Sequence, residues 1–279
     1  MNASMYKSAV KPTWCPGCGD FGVLAGITQA LAEMGWEPEN VVAVSGIGCS
    51  SRFPFFLSTY GFHSIHGRAV PVAIGMRIAR PDLKVVVFGG DGDGFAIGGG
   101  HFLHGARRNV DVTYVIMDNH IYGLTKGQTS PTSDLKFKTK STPYGSVEPP
   151  INPVQIAICS GATYVARGFA GDPKGLKDLF VRGMRHKGFA LIDVLSPCVT
   201  YNRVDTFKSF KERIAAIPAD HDRADLSAAL TLATDPERFF TGVLFEIQRP
   251  VFEDRVEALK GYSDRSWIEV VEDVFDSMS

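Results

Sequence analysis

The sequence has 279 residues and contains no apolar run near the roughly 20 residues that a bilayer-spanning helix needs. Its 29 Lys and Arg residues nearly balance 30 Asp and Glu residues, and the net charge of -1 gives no electrostatic reason to expect nucleic acid or a membrane surface as a partner. Residues 1–7 lack the apolar core of a signal peptide. We therefore expect a cytoplasmic protein whose five cysteines are reduced thiols, ligands or catalysts and form no disulfides.

Short apolar runs alternate with helical segments through the first 199 residues. The predicted strands are 41–44, 85–88, 112–117, 163–166 and 190–195, and the predicted helices are 21–34, 69–79, 98–108, 154–159 and 173–186. This alternation predicts an α/β fold with a doubly wound, mostly parallel sheet. We expect residues 1–199 to form this domain. Residues 200–279, which end in a helix over 267–278, are expected to be a C-terminal extension packed on the domain or on a partner.

Two of the predicted strands end in polar motifs. The run 85–88 leads into Gly89-Gly90-Asp91-Gly92-Asp93-Gly94, and the run 112–117 leads into Asp118-Asn119-His120. A right-handed crossover between the strands brings Asp91 and Asn119 to the same carboxyl-end edge of the sheet. Carboxylate and amide oxygens suit Mg²⁺, which completes its coordination with water and substrate phosphates, and the glycines allow backbone amides close to those phosphates.

Other glycine-rich motifs do not fit these residues. An EF-hand that begins at Asp91 needs Asp or Asn at its fifth position, Gly at its sixth and Glu at its twelfth, but the chain has Phe95, Ala96 and Phe102 there. A P-loop is excluded because no Gly-Lys-Ser/Thr follows. For Gly46-Ile47-Gly48, a dinucleotide fingerprint fails because Ser51 replaces its third glycine.

The cysteines form a dispersed set. Cys15 and Cys18 lie in a Cys-x-x-Cys beside Trp14, but no strand precedes them as in thioredoxin, whereas Cys49 and Cys198 each follow a predicted strand. Structural zinc sites usually use two close pairs of ligands, and four thiolates from scattered loops suit a [4Fe–4S] cluster. The pattern alone leaves cluster, zinc and core cysteines as alternatives. Cys159 lies in an apolar helical segment and is predicted to be a buried small side chain.

A thiamine-type diphosphate motif beside such a thiol set resembles the β subunit of 2-oxoacid:ferredoxin oxidoreductases, most closely the 2-oxoglutarate branch. The resemblance extends over 14–198, weakens after residue 200, and is carried by the segments 14–19, 46–50, 63–68, 90–93, 118–128 and 196–198. It implies the thiamine-diphosphate-binding domain fold, with three cofactors: thiamine diphosphate, Mg²⁺ and a [4Fe–4S] cluster.

The resemblance also implies roles for individual residues. The cluster ligands would be Cys15, Cys18, Cys49 and Cys198. Magnesium would be bound by Asp91, Asn119 and the main-chain carbonyl of Ile121. Thiamine diphosphate would contact Ile47, Gly48, Cys49, Ser50, His66, Gly92, Asp93, Gly123 and Leu124.

The activity implied by the resemblance is reversible, CoA-dependent oxidative decarboxylation of 2-oxoglutarate to succinyl-CoA and CO2, with electrons passing to ferredoxin. The glutamate that contacts the aminopyrimidine belongs to a second domain that this chain lacks, so an α subunit is expected to supply it. Pyruvate or a broad range of 2-oxoacids is the alternative substrate, and a non-catalytic iron–sulfur subunit is the alternative class. Arg52, near the cofactor turn, is the candidate clamp for a substrate carboxylate, and Lys126 is a candidate for an active-site lid.

Overall fold

The computed structural model describes residues 1–256 and 266–277, and none of the helices in these ranges is long and apolar enough to span a membrane. The strands are β1 Val41–Ser45, β2 Tyr60–His63, β3 Lys84–Gly90, β4 Thr113–Asp118, β5 Tyr164–Phe169, β6 Ala190–Leu195, β7 Ile214–Ala216 and β8 Phe239–Glu246. The α-helices are α1 Asp20–Met34, α2 Phe53–Phe56, α3 Ala69–Ala79, α4 Asp91–Phe95, α5 Gly99–Arg108, α6 Pro153–Ser160, α7 Pro173–Arg185, α8 Phe207–Arg213, α9 Leu226–Ala233, α10 Phe252–Arg255 and α11 Trp267–Ser277. Short 3₁₀ helices cover Ala3–Tyr6, Pro38–Asn40 and Ser50–Arg52.

In the described part of the chain these strands form one eight-stranded sheet with the order β2-β1-β3-β4-β6-β5-β8-β7. Along this order, all neighbouring strands from β2 to β5 are parallel to one another. β8 is antiparallel to β5, and β7 is parallel to β8. The predicted α/β fold with a mostly parallel sheet is confirmed. Because β3 and β4 are parallel neighbours, Asp91 and Asn119 follow strands that end at the same edge.

The central strands are apolar on both faces because helices cover both faces of the sheet. Every residue of β1, β4 and β6 is buried. Val41 and Ala43 of β1 pack into the core under α1 and α7, whereas Val42 and Val44 pack into the core under α3, α5 and α6. Continuous hydrophobic runs are the expected signature of such doubly covered parallel strands.

Helix boundaries follow local capping signals. Gly35 ends α1 in a left-handed conformation with φ of +66°, and its N–H donates to the Leu31 carbonyl. The Asn152 side chain accepts the Gln155 N–H at the start of α6, where Pro153 occupies the first turn. Two of the elements that the sequence did not predict lie near the predicted site, the exposed edge strand β2 and the helical turn α4 inside the glycine-rich motif.

The C-terminal residues extend the same sheet. β8 pairs with β5 and carries β7 on its outer side, which places part of the predicted extension beside the central strands. The division at residue 199 stays a prediction. Helix α11 agrees with the predicted terminal helix up to Ser277, and the predicted last residue, Met278, lies outside the described residues, as do 257–265 of the extension.

Candidate active site

A cavity of about 520 Å³ opens at the carboxyl ends of β1, β3 and β4. Every residue predicted for thiamine diphosphate and magnesium lines it: Ile47, Gly48, Cys49, Ser50, His66, Asp91, Gly92, Asp93, Asn119, Ile121, Gly123 and Leu124. The structure adds Gly90, Tyr122, Thr125 and Gln128 to this lining. The topology therefore brings the predicted residues together, while their roles stay predictions.

Asp91 begins α4 and is buried beside a second carboxylate, Asp118, at the end of β4. The hydroxyl of Thr132 lies 2.6 Å from Asp91 Oδ2 and 2.9 Å from Asp118 Oδ1. One hydroxyl donates one proton, so both contacts are hydrogen bonds only when one carboxyl is protonated. Burial and the neighbouring Asp118 raise the pKa of Asp91 to about 7. Two buried carboxylates in this arrangement favour a bound cation.

The segment after β4 is held by a buried ion cluster. His120 has a left-handed backbone with φ of +56°, and its Nδ1 lies 3.0 Å from Asp205 Oδ2. Burial acts to lower the pKa of His120, but the carboxylates of Asp118 and Asp205 outweigh it and hold that pKa well above its usual value. His120 does not line the cavity, and its contacts with Asp118 and Asp205 anchor the loop.

Asn119 and Ile121, on either side of His120, are fixed by different contacts. Asn119 Oδ1 accepts the Ile121 N–H at 3.1 Å, and the Asn119 carbonyl accepts Asn202 Nδ2 at 3.0 Å. Asn202 also donates to Asp205 and accepts the N–H groups of Val204 and Asp205. A turn after β6 thus supports the proposed metal-binding loop.

Asp93 organises the opposite wall. Its Oδ1 accepts the N–H groups of Ile47 at 2.9 Å and Gly67 at 2.8 Å, and it lies 3.0 Å from His66 Nδ1. Burial raises the pKa of Asp93, although these hydrogen bonds act in the opposite direction. A Cβ at Gly46 would collide with the Asp93 carboxylate, which explains the glycine there. Asp93 joins two segments of the cavity wall, and His66 stays 39% exposed beside it.

The four predicted cluster cysteines lie at the same edge of the sheet. A Cβ at Gly123 would lie 3.5 Å from the Sγ atoms of both Cys49 and Cys198. The pKa of the Cys49 thiol is raised to about 12. Burial is the main cause, and the nearby Asp20, Cys198 and Cys15 add to the shift. Burial likewise raises the pKa of Cys18, with contributions from Asp20 and from the Cys198 and Cys49 thiols.

Hydrogen bonds join the segments that carry these thiols. The Gly19 N–H donates to the Pro197 carbonyl at 3.2 Å, and the Ser196 hydroxyl donates to the buried Asp20 carboxylate at 3.0 Å. Trp14 Nε1 donates to the Cys49 carbonyl at 2.7 Å. Within residues 1–256 and 266–277, no three His, Cys, Asp or Glu side chains form a closed metal-ligand group. The thiols are therefore neighbours without being in a closed coordination geometry.

Besides the cluster candidates Cys15, Cys18 and Cys198, three other side chains discussed from the sequence do not line the cavity. Cys159 is exposed on α6, so its predicted burial is wrong: Val154, Ala157 and Ile158 occupy the buried face, and Cys159 follows them onto the outer face. Arg52 is half-buried and donates to Thr13 Oγ1 at 2.9 Å. Lys126 is exposed in the turn after Thr125.

Sequence reasoning missed Tyr122, Thr132, Asn202 and Asp205. The Tyr122 hydroxyl donates to the Gly92 carbonyl at 3.2 Å, and a Cβ at Gly92 would collide with the Tyr122 ring. The long polar loop 125–153 was the signal for Thr132, because loops of this length in compact domains usually have a function. For Asn202 and Asp205 the signal was an Asx-type turn of four residues, Asn202 to Asp205.

Comparison with known families first defines the class. Residues 46–194 match the family "Thiamine pyrophosphate enzyme, C-terminal TPP binding domain", thiamine pyrophosphate being thiamine diphosphate. Residues 198–261 match the family that describes the C-terminal part of the pyruvate ferredoxin oxidoreductase beta subunit. The fold is thus that of a thiamine-diphosphate-binding domain.

Individual relatives narrow this class. A 2-oxoglutarate:ferredoxin oxidoreductase from Magnetococcus marinus, solved with 2-oxoglutarate, coenzyme A and succinyl-CoA bound, is 48% identical with a TM-score of 0.92, covering 98% of this chain and 95% of that one. The β subunit of 2-oxoacid:ferredoxin oxidoreductase 2 from Aeropyrum pernix is 42% identical over 91% of this chain and 86% of its own length. The 2-oxoglutarate synthase subunit KorB of Methanocaldococcus jannaschii is 40% identical over 91% of this chain and 95% of its own.

The chain belongs to the family of 2-oxoacid:ferredoxin oxidoreductase β subunits. This confirms the resemblance inferred from the sequence, together with the class of thiamine-diphosphate-dependent oxidoreductase.

Proposed function

We propose that this chain is the cofactor-binding β subunit of an enzyme that converts 2-oxoglutarate and CoA to succinyl-CoA and CO2, reversibly, and passes the electrons through a [4Fe–4S] cluster to ferredoxin. The observation that carries the proposal is the position of Cys49. This residue lines the cavity that Asp91 and Asn119 also line, and its thiol flanks Gly123 together with Cys198. The cofactor cavity and the set of four thiols share one residue. This arrangement suits oxidation of a bound substrate, with its electrons passing directly to a cluster held by the thiols.

The residues at the end of β3 and β4 fit Mg²⁺. Asp91 and Asn119 supply a buried carboxylate and an amide, and the carbonyl of Ile121 follows on the same turn. The raised pKa of Asp91 means that its charge is poorly compensated by protein groups alone. A divalent cation bound there would remove that cost and would bind the diphosphate.

The four thiols fit an iron–sulfur cluster because the metal would stabilise them as thiolates. Cys15, Cys18, Cys49 and Cys198 come from three separate segments that hydrogen bonds hold together, and the raised pKa values of Cys18 and Cys49 reflect buried sulfurs near one another. Iron bound as a cluster takes these sulfurs as thiolates. Cys159 is exposed on α6 and is no ligand in the proposal.

Thiamine diphosphate, when bound, supplies a thiazolium that stabilises the negative charge developing as CO2 leaves. This chain would hold its diphosphate side with Asp91, Asn119, Ile121 and Gly92, while His66 stands at the cavity wall beside Asp93. No glutamate lines the cavity in the described residues. We infer that an α subunit supplies the glutamate for the aminopyrimidine and completes the site.

The preference for 2-oxoglutarate is supported by the relatives, which include a 2-oxoglutarate synthase subunit and a 2-oxoglutarate:ferredoxin oxidoreductase. Pyruvate or broad specificity is the second candidate, because other relatives are named only for 2-oxoacids. We retain Arg52 as the candidate clamp for a substrate carboxylate. It lies three residues after Cys49 and is half-buried, with a hydrogen bond to Thr13 that the substrate would have to replace or share.

The test is an anaerobic assay of the co-expressed αβ complex with CoA and methyl viologen as the electron acceptor. We expect turnover of 2-oxoglutarate with a kcat/KM at least about tenfold above that for pyruvate. A preference for pyruvate would establish the second candidate. Visible absorption that dithionite bleaches, without turnover of either 2-oxoacid, would contradict the enzyme and favour an electron-transfer subunit.

A further inference from the structure

The segments around the four thiols carry charge of one sign. We call residues 7–19, 46–59, 121–133 and 196–206 the thiol-side segments, because they hold three of the thiol-bearing stretches and the Gly123 turn that contacts two of the sulfurs. Their charged residues are Lys7, Lys11, Arg52, Lys126, Arg203 and one carboxylate, Asp205. The whole chain, by contrast, has 30 acidic and 29 basic residues.

Most carboxylates in and next to these segments are buried. The exception is Asp134, which is exposed one residue after the third segment. Asp205 is buried and paired with His120, and Asp20, at the end of the first segment, is buried and accepts the Ser196 hydroxyl. Asp118, before the third segment, is buried beside Asp91. Within the four segments themselves, the exposed charge is therefore entirely positive.

The exposed cations are not used by the fold. Lys11, Lys126 and Arg203 are exposed, and in the described part of the chain no carboxylate lies within salt-bridge distance of any of them. Other exposed cations, such as Lys187 with Asp254, do pair across the surface. A group of exposed, unpaired cations creates a positive potential that attracts an anionic partner.

Local contacts make these segments one surface. Arg52 donates to Thr13, two residues from Lys11. A Cβ at Gly17 would lie 3.9 Å from Val199, and a Cβ at Gly127 would lie 3.4 Å from Tyr201. The Cys-x-x-Cys segment thus contacts the segment of Arg203, which in turn contacts the turn of Lys126.

The proposed cluster thiols reach the exterior in the same place. Cys15 is exposed, whereas Cys18, Cys49 and Cys198 are only partly accessible. Cys15 lies four residues after Lys11 and two residues before Gly17, and is therefore flanked by the cationic segments. An electron carrier that docks here approaches the cluster from its most accessible side.

We propose that Lys11, Lys126 and Arg203 around Cys15 form the docking surface for an acidic electron-carrier protein. This rests on the proposed function, which supplies the electrons from the 2-oxoacid. In each transfer the reduced cluster loses one electron and the oxidised carrier gains one; no bond forms or breaks. Complementary charge accelerates such encounters and makes them dependent on ionic strength. The phosphates of CoA are the other anionic groups that this surface would attract. CoA accepts no electrons from the cluster, so its binding gives no reason for the cations to surround the exposed Cys15.

The experiment uses the αβ holoenzyme with Lys11→Glu and Arg203→Glu combined. Lys126 is left unchanged because it lies beside cavity residues. The matched control combines Arg108→Glu and Arg185→Glu, which make the same charge change at the ends of α5 and α7, where both side chains are exposed. Methyl viologen measures turnover without docking. A purified acidic ferredoxin with two [4Fe–4S] clusters measures docking, both as the electron acceptor and by biolayer interferometry with the oxidised protein.

We expect the docking variant to raise the ferredoxin KM and Kd at least about tenfold at low salt, with the difference shrinking as salt rises. Its kcat/KM for 2-oxoglutarate with methyl viologen should stay within about twofold of the unmodified complex. An unchanged ferredoxin Kd, or an equal change in the control, would overturn the docking surface. A raised KM for CoA with normal ferredoxin binding would assign the surface to CoA instead. Failure of the unmodified complex to reduce methyl viologen would contradict the proposed function, while ferredoxin binding would still report on the surface.

Discussion

Asn202→Ala is the substitution that most directly tests whether the C-terminal residues support the proposed metal-binding loop. Asn202 is buried, and its amide donates to the Asn119 carbonyl at 3.0 Å and to Asp205 at 3.1 Å. The alanine leaves the Asn119 carbonyl and one side of Asp205 without these donors. Asp205 is also the partner of His120. The adjacent loop residues Asn119 and His120 therefore both lose support.

The magnitude follows from the unsatisfied carbonyl. A buried polar group left without its partner costs about 1–3 kcal/mol. If that cost is borne by the loop conformation that binds magnesium, the fraction of molecules ready to bind falls by about fivefold to a hundredfold. We therefore expect the Kd for thiamine diphosphate in the presence of Mg²⁺ to rise by that factor in the αβ complex.

Isothermal titration calorimetry on the purified complex measures this Kd, and thermal unfolding measures the accompanying loss of stability. Thr206→Ala is the control, because Thr206 lies four residues after Asn202 and its side chain caps α8 by accepting the Ser209 N–H. It should cost about 1 kcal/mol of stability without changing the Kd. Unchanged cofactor affinity in Asn202→Ala, with only a lower Tm, would refute the supporting role.

Four further predictions concern the cofactors, the substrate and the partner. Asp91→Ala should weaken magnesium-dependent thiamine diphosphate binding by about a hundredfold or more, because the magnesium that binds the buried diphosphate loses its carboxylate ligand. Unchanged affinity by calorimetry would reject the site. Anaerobically prepared Cys198→Ala should lose most of its iron and sulfide and Cys159→Ala none, and equal retention in both would disprove the ligand set. Arg52→Ile should lower kcat/KM for 2-oxoglutarate about tenfold to a hundredfold with methyl viologen, sparing pyruvate only if it holds the distal carboxylate; no change would end its role as a clamp. The isolated chain should turn over no 2-oxoacid, and robust turnover would contradict the need for an α subunit.

The parts of the fold that were predictable are those in which local signals and tertiary packing agree. Helix α3 has its predicted bounds, Ala69–Ala79, because an apolar helical segment is followed closely by Pro81. Strand β6, Ala190–Leu195, also matches, because its unbroken apolar run is what a strand buried on both faces requires. Asp91 and Asn119 were predictable because parallel strands bring their carboxyl ends to one edge. The other cavity residues followed from the family resemblance.

The parts that were missed depend on contacts between distant segments. Glycine disfavours helix, so the glycine-rich run 91–95 was not predicted to be one, yet α4 is fixed by Asp93, which binds the N–H groups of Ile47 and Gly67. Thr132 is 41 residues from Asp91 in the chain, and no local pattern indicates that its hydroxyl lies beside that carboxylate. Cys159 was misassigned because an apolar stretch on a helix does not say which residue faces out.

A single segment after β6 connects the two proposed cofactor sites. The Asn202 N–H donates to the carbonyl of Cys198 at 3.1 Å, so the residue that supports Asn119 is hydrogen-bonded to a proposed cluster ligand. Ser196, two residues before Cys198, is bound to Asp20 beside the Cys-x-x-Cys segment. A displacement of this segment would therefore disturb the thiols and the magnesium loop together. The proposed electron transfer from the substrate needs both proposed cofactors at fixed positions relative to one another, and the short connection from Ser196 to Asn202 gives the chain a physical means of fixing them.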